Sequence, residues 1–138
     1  MMQNINVNYL AVLVAGIVNI GIGFLWHGPL FGKQWMALMG FNKNSMKSMK
    51  ITAGQAMVGG FVAALVMSYV QAYIIGFSQA ATFIEGVISG FWIWLGFVAT
   101  VMIGKVLWEG KPFRLFAITS GYWLVTLMIN GGILAVWR

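Results

Sequence analysis

Glu85 is one of only two acidic residues among 138, and it stands between the uncharged runs 51–84 and 86–104. A carboxyl in such a setting is a candidate proton carrier or cation ligand, because a charge in hydrocarbon is costly and is normally paired, solvated or neutral. Helical spacing puts Ser89, Trp92, Gly96 and Thr100 on its face, so the carboxyl is expected to point inward. Gln71 and Asn130 are expected at similar depth, which makes Gln71, Glu85 and Asn130 a candidate polar intramembrane layer, joined by Asn19. Desolvation in that layer would favour the neutral acid. Alternatively, Glu85 is an interfacial glutamate reached by water or hydrogen-bonded as structural glue.

His27, the single histidine, extends the candidate set, since imidazole changes protonation closer to neutrality than any other unperturbed side chain. The competing role is that of an interfacial hydrogen-bonding residue. Thr119, Trp123, Thr126 and Asn130 fall on one face of the last apolar run and add to a narrow polar interior. Catalysis finds little to build on. There is no Asp, which excludes a Ser-His-Asp triad. Glu85 and Glu109 are expected on opposite faces of the bilayer, too far apart for an acid/base couple. One His and two Glu fall short of a zinc site, and the absence of Cys removes thiolate chemistry. Gly21-Ile22-Gly23 has no preceding strand and cannot act as a nucleotide loop. No metal, cofactor or enzymatic activity is therefore expected.

The elements that must position these residues follow from the charge map. Residues 1–32, 51–84, 86–104 and 115–137 carry no Lys, Arg, Asp or Glu. A membrane-spanning helix needs about 20 mainly apolar residues, with every backbone polar group paired within the segment. The runs predict an all-α integral membrane protein, a compact bundle of four transmembrane helices at about 9–26, 51–75, 80–104 and 115–137, forming a single domain over 1–138. Hydrophobic residues make up 61% of the chain and charged residues 7%, a balance that no soluble fold shares. Gly28 and Pro29 are expected to break or kink the first span, with an amphipathic segment at about 30–41 lying in the headgroup layer. The residues before Tyr9 include no basic side chain, so the first span is expected to be retained rather than cleaved as a signal peptide.

Seven of the eight basic residues lie between spans one and two or between spans three and four, and only Arg138 falls elsewhere. The positive-inside rule then places loops 27–50 and 105–114 in the cytoplasm and both termini outside. Lys33, Lys43, Lys47 and Lys50 are candidate contacts for anionic lipid headgroups or simply topology signals. Because the net charge of +6 is gathered in short loops, no nucleic-acid partner is expected.

Small residues recur every fourth position: Ala11, Ala15, Asn19, Gly23 and His27 on span one, and Ala56, Gly60, Ala64, Ser68 and Ala72 on span two. Gly86 and Gly90 form a GxxxG on span three. Such rows let helix backbones approach closely in lipid, so they are expected to be packing seams, used within the chain or between copies. The stretch Ile22 to Pro29 resembles Ile103 to Pro112, which leaves open two parallel hairpin repeats beside chance similarity.

The string Leu25-Trp26-His27-Gly28-Pro29-Leu30-Phe31-Gly32-Lys33-Gln34-Trp35, with Asn8 to Val12, Gly90 to Phe97, Leu107 to Lys111, Gly121 to Leu124 and Trp137, resembles the bacterial membrane family Domain of Unknown Function 1761 over nearly its full length. The resemblance implies a membrane fold, favours a bacterial inner membrane and carries over no catalytic residue. The family shows Tyr where this chain has His27, which implies that no shared mechanism requires histidine.

Two functions are carried forward. The first is a non-catalytic packing or accessory protein that forms homo-oligomers or binds lipid or another membrane protein. The alternative is an oligomeric conductor of ions, protons or small solutes, with Glu85 in its polar layer.

Overall fold

The computed structural model describes residues 5–138, apart from the side chains of Lys43 and Met46. Helix α1, Tyr9–Leu25, starts at Asn8, whose side-chain oxygen accepts from the N–H groups of Leu10 and Ala11, filling the N-cap role. Gly28 and Pro29, expected to break or kink the helix, distort it without ending it. The chain winds on through a wide π-type turn, Trp26–Leu30, in which the Phe31 N–H reaches back five residues to the Trp26 carbonyl at 2.9 Å. Proline has no N–H to give, and the widened turn absorbs that loss. The corner comes at Phe31 and Gly32, where a Cβ on Gly32 would lie 2.7 Å from the His27 carbonyl oxygen. Beyond it run α2, Gly32–Met39, closed by Gly40 in the left-handed conformation, and the short α3, Lys43–Lys47.

Helix α4, Ala53–Ser78, is opened by a reciprocal capping box between Thr52 and Gln55, and α5, Phe83–Ile93, by one between Thr82 and Glu85. From α5 the chain continues through a second π-type segment, Trp94–Ala99, and the short helices α6, Thr100–Met102, and α7, Gly104–Leu107. Helix α8, Phe113–Val136, follows Pro112. Tyr9–Leu30, Ala53–Ser78, Phe83–Leu107 and Phe113–Val136 are each long and apolar enough to cross a membrane.

Helix α8 is the hub. Half of its apolar window is buried, 50% against 11% for Phe83–Leu107. One side of α8 carries α5, and the other packs on α1 and α4, which also pack on each other. Consecutive in sequence, α4 and α5 scarcely touch. The tightest crossing is made by glycine. A Cβ on Gly86 would fall on the carbonyl of Gly131, and one on Gly90 would fall on that of Leu127. The two backbones are therefore in direct contact, with glycine C–H groups aimed at carbonyl oxygens.

The small-residue seams hold over part of their predicted length. Ala11, Ala15, Ala64 and Ser68 are buried, and Leu65 packs over Gly16. Ala56 and Gly60 are exposed, and Gly60 faces open space. Periodicity identifies the face of α4 that meets partners, but α1 and α8 cover that face only from Ala64 onward. Nor do the two similar stretches occupy equivalent positions. The Trp26 indole N–H donates to the Ile118 carbonyl at 2.8 Å, whereas Trp108 is 88% exposed. The counterpart of Trp26 is Trp94, which opens the second π-type segment and donates to the Ser120 carbonyl at 2.8 Å.

Replacing Gly86 with Leu is expected to destabilise the protein by about 3 kcal/mol, because the backbones must separate. Gly60→Leu is expected to stay within about 0.5 kcal/mol, as for other open surface positions. Denaturant unfolding of the monomer in detergent micelles distinguishes the two, and equal effects would contradict the crossing described.

Candidate functional site

Positions 122, 126 and 130 repeat every fourth residue along α8, and all three are buried. They face Asn19 of α1 and Ser68 and Gln71 of α4, which are also buried. The Tyr122 hydroxyl donates to Asn19 Oδ1 at 2.6 Å and lies 3.1 Å from the Asn19 carbonyl. Asn19 Nδ2 is left with the weak acceptor Met67 Sδ at 3.9 Å. One to two turns farther along α8, Asn130 Nδ2 donates to Ser68 Oγ at 3.4 Å, and Gln71 Nε2 donates to the Leu127 carbonyl at 2.7 Å. Every one of these bonds joins two helices. In surroundings without competing water they act as clasps, typically contributing about 0.6–2 kcal/mol each.

Among the described residues, Gln71 Oε1, Thr126 Oγ1 and Asn130 Oδ1 are buried without a hydrogen-bond partner. These are neutral oxygens on adjoining turns, the type of atom that an ordered internal water satisfies. Tyr122 enters the seam as a hydrogen-bond donor through its hydroxyl.

The expected layer of Gln71, Glu85 and Asn130 does not assemble. Glu85 matches the seam in height, since its neighbour Gly86 abuts Gly131. One residue of helical rotation, however, turns its side chain away from α8 to an exposed position. Glu85 Oε2 accepts from the N–H groups of Ala81 at 2.7 Å and Thr82 at 3.2 Å, while Thr82 Oγ1 accepts from the Glu85 N–H at 3.2 Å. The carboxylate therefore caps the start of α5 and favours the positive end of its dipole. The expected inward-facing neutral acid is replaced by an outward acceptor. The pattern Thr82-Phe83-Ile84-Glu85 is itself a capping-box signal, and it accounts for Glu85 without any partner on another helix.

His27 lies at the corner after α1. Its Nδ1–H donates to the Gly23 carbonyl at 3.1 Å, and its ring meets Trp35 and Tyr122 edge-on with centroids 5.0 and 5.1 Å away. Gly23 sits beneath Tyr122, where a Cβ would lie 3.2 Å from the hydroxyl oxygen. The Asn19, Gly23 and His27 row is thus the track on which Tyr122 rests. Tyr122 extends the polar face of Thr126 and Asn130 by one four-residue step, a spacing visible in the sequence. Lys33, Lys47 and Lys50 are exposed, while the side chain of Lys43 lies outside the described residues.

A family model described as "Protein of unknown function (DUF1761)" matches residues 10–135. No curated protein and no solved structure matches the chain.

Tyr122→Phe removes the donor and leaves Asn19 Oδ1 buried and unpaired, with an expected cost of about 1–2 kcal/mol. In a double-mutant cycle with Asn19→Ala, the coupling should be about 1 kcal/mol. Additive effects in detergent unfolding would show that the clasp contributes nothing.

Proposed function

The chain belongs to the DUF1761 family of proteins of unknown function, and on that basis we propose that it is a four-span membrane protein with a non-catalytic packing or accessory role. Its supporting observation is the inverted distribution of polarity. Asn19, Ser68, Gln71, Thr126 and Asn130 are buried between helices, while Tyr9, Phe97 and Val101 are each more than 70% exposed. An apolar exterior of this extent has no place in water and matches hydrocarbon, which also drives polar groups to find partners inside the protein.

The protein resides in a bacterial inner membrane, with loops 27–50 and 105–114 in the cytoplasm and both termini outside, as the basic residues direct. Four spans form one bundle with α8 at its centre. The outer surface of α5 and of the π-type segment that continues it, which carries Ile84, Ile88, Trp92, Leu95 and Phe97, is the face offered to lipid, to a second copy or to another membrane protein. An oligomeric conductor is less well supported, because Glu85 caps its own helix outside the polar seam. Asn19, Ser68, Gln71, Tyr122 and Asn130 each take part in an interhelical clasp.

The cysteine-free sequence makes topology directly measurable. With a membrane-impermeant maleimide on intact cells, Asn6→Cys is expected to label, and Ser48→Cys only after permeabilisation. Labelling of both from the same side would overturn the arrangement. In proteoliposomes the protein is expected to leave proton and potassium flux at the level of empty vesicles. Flux that Glu85→Gln abolishes would replace the accessory role with conduction.

A further inference from the structure

Because α5 is held against α8 rather than α4, a groove of about 500 Å³ runs between the end of α4 and the outer side of α5. Ser78, Gln79 and Glu85 form its polar mouth, and Ile88, Trp92 and Phe97 line its apolar length. Resting on the membrane placement above, we propose that this groove binds one phospholipid with a primary-ammonium headgroup, of the phosphatidylethanolamine type. The ammonium meets Glu85, and an acyl chain lies along Ile88, Trp92 and Phe97.

The dimensions fit one leaflet. At 1.5 Å per residue, Glu85 and Phe97 are about 18 Å apart along the helix, close to the roughly 15 Å of half a hydrocarbon core. The charge fits as well. Glu85 Oε2 takes both cap N–H groups, while Oε1 accepts no hydrogen bond and the carboxylate forms no ion pair among the described residues. A free carboxylate oxygen suits a group with N–H to donate. A choline headgroup has none and would need an aromatic cage, but Trp92 stands about two turns below Glu85. Gln79 also lines an adjoining cleft of about 390 Å³ with Asn6, Asn8 and Arg138. A guanidinium is therefore available to the phosphate next to the site for the amine, the order of charges that a zwitterionic headgroup presents.

Native mass spectrometry of the purified full chain with equimolar phosphatidylethanolamine, phosphatidylcholine and phosphatidylglycerol tests the assignment. The ethanolamine lipid is expected to be retained about tenfold over the choline lipid, the scale of one charge-assisted hydrogen bond. Glu85→Gln should equalise the two while lowering the thermal midpoint by no more than a few degrees, since the amide oxygen can still accept from Ala81 and Thr82 and only the charge–dipole attraction is lost. Trp92→Ala should reduce retention of both without changing their ratio. Equal retention by the unaltered protein, a preference that survives Glu85→Gln, undiminished binding after Trp92→Ala, or strongest retention of phosphatidylglycerol would each overturn the proposal. Failure here with Asn6 and Ser48 on opposite sides would remove the lipid site alone. If the two label from the same side, the membrane placement itself falls.

Discussion

The backbone crossing of α5 on α8 is the constraint from which the rest of the arrangement follows. At Leu127 and Gly131 the main chain of α8 is approached from both sides, by Gly90 and Gly86 of α5 and by the Gln71 amide of α4. The Leu127 carbonyl thus sits where three helices meet. In lipid, helices gain little by hiding apolar side chains from one another, and close packing of small residues takes over that role. With α5 bound so tightly to α8, it cannot also lie along α4, and the α4–α5 groove is left open.

The polar seam solves a different problem. Amides and hydroxyls buried among apolar helices are costly when unpaired and strengthened when paired, because low local dielectric acts in both directions. Asn19, Ser68, Gln71 and Tyr122 each bond to a partner on another helix, so their bonds select one rotation of α1 and α4 about α8. The indoles of Trp26 and Trp94 add a second layer of the same kind, each reaching from a π-type turn to an α8 carbonyl. Wide turns of this sort displace side chains relative to a regular helix, and here the displaced tryptophans serve as struts.

These features give the molecule an interior suited to holding shape and an exterior suited to lipid. The seam carries no carboxylate, and the one carboxylate in the long helices faces outward at the mouth of a groove as long as a leaflet is deep. Behind the outer face of α5 stands the mutually packed core of α1, α4 and α8.

Much of this was legible in the residue order. Four uncharged runs are long enough to span a bilayer, seven of the eight basic residues lie in two loops, and the periodic small residues mark the faces that meet. Two capping boxes were equally readable, including the one that explains Glu85. Residue order assigns a side chain to a height and a face along its own helix, and by height alone Gln71, Glu85 and Asn130 share one level. It does not set how helices rotate about one another. That depended on the Gly86 and Gly90 contacts, which point α5 at α8 and turn Glu85 outward, and on the reach of α1, which leaves Gly60 uncovered. Spacing is a property of one helix, whereas partnership is a property of two.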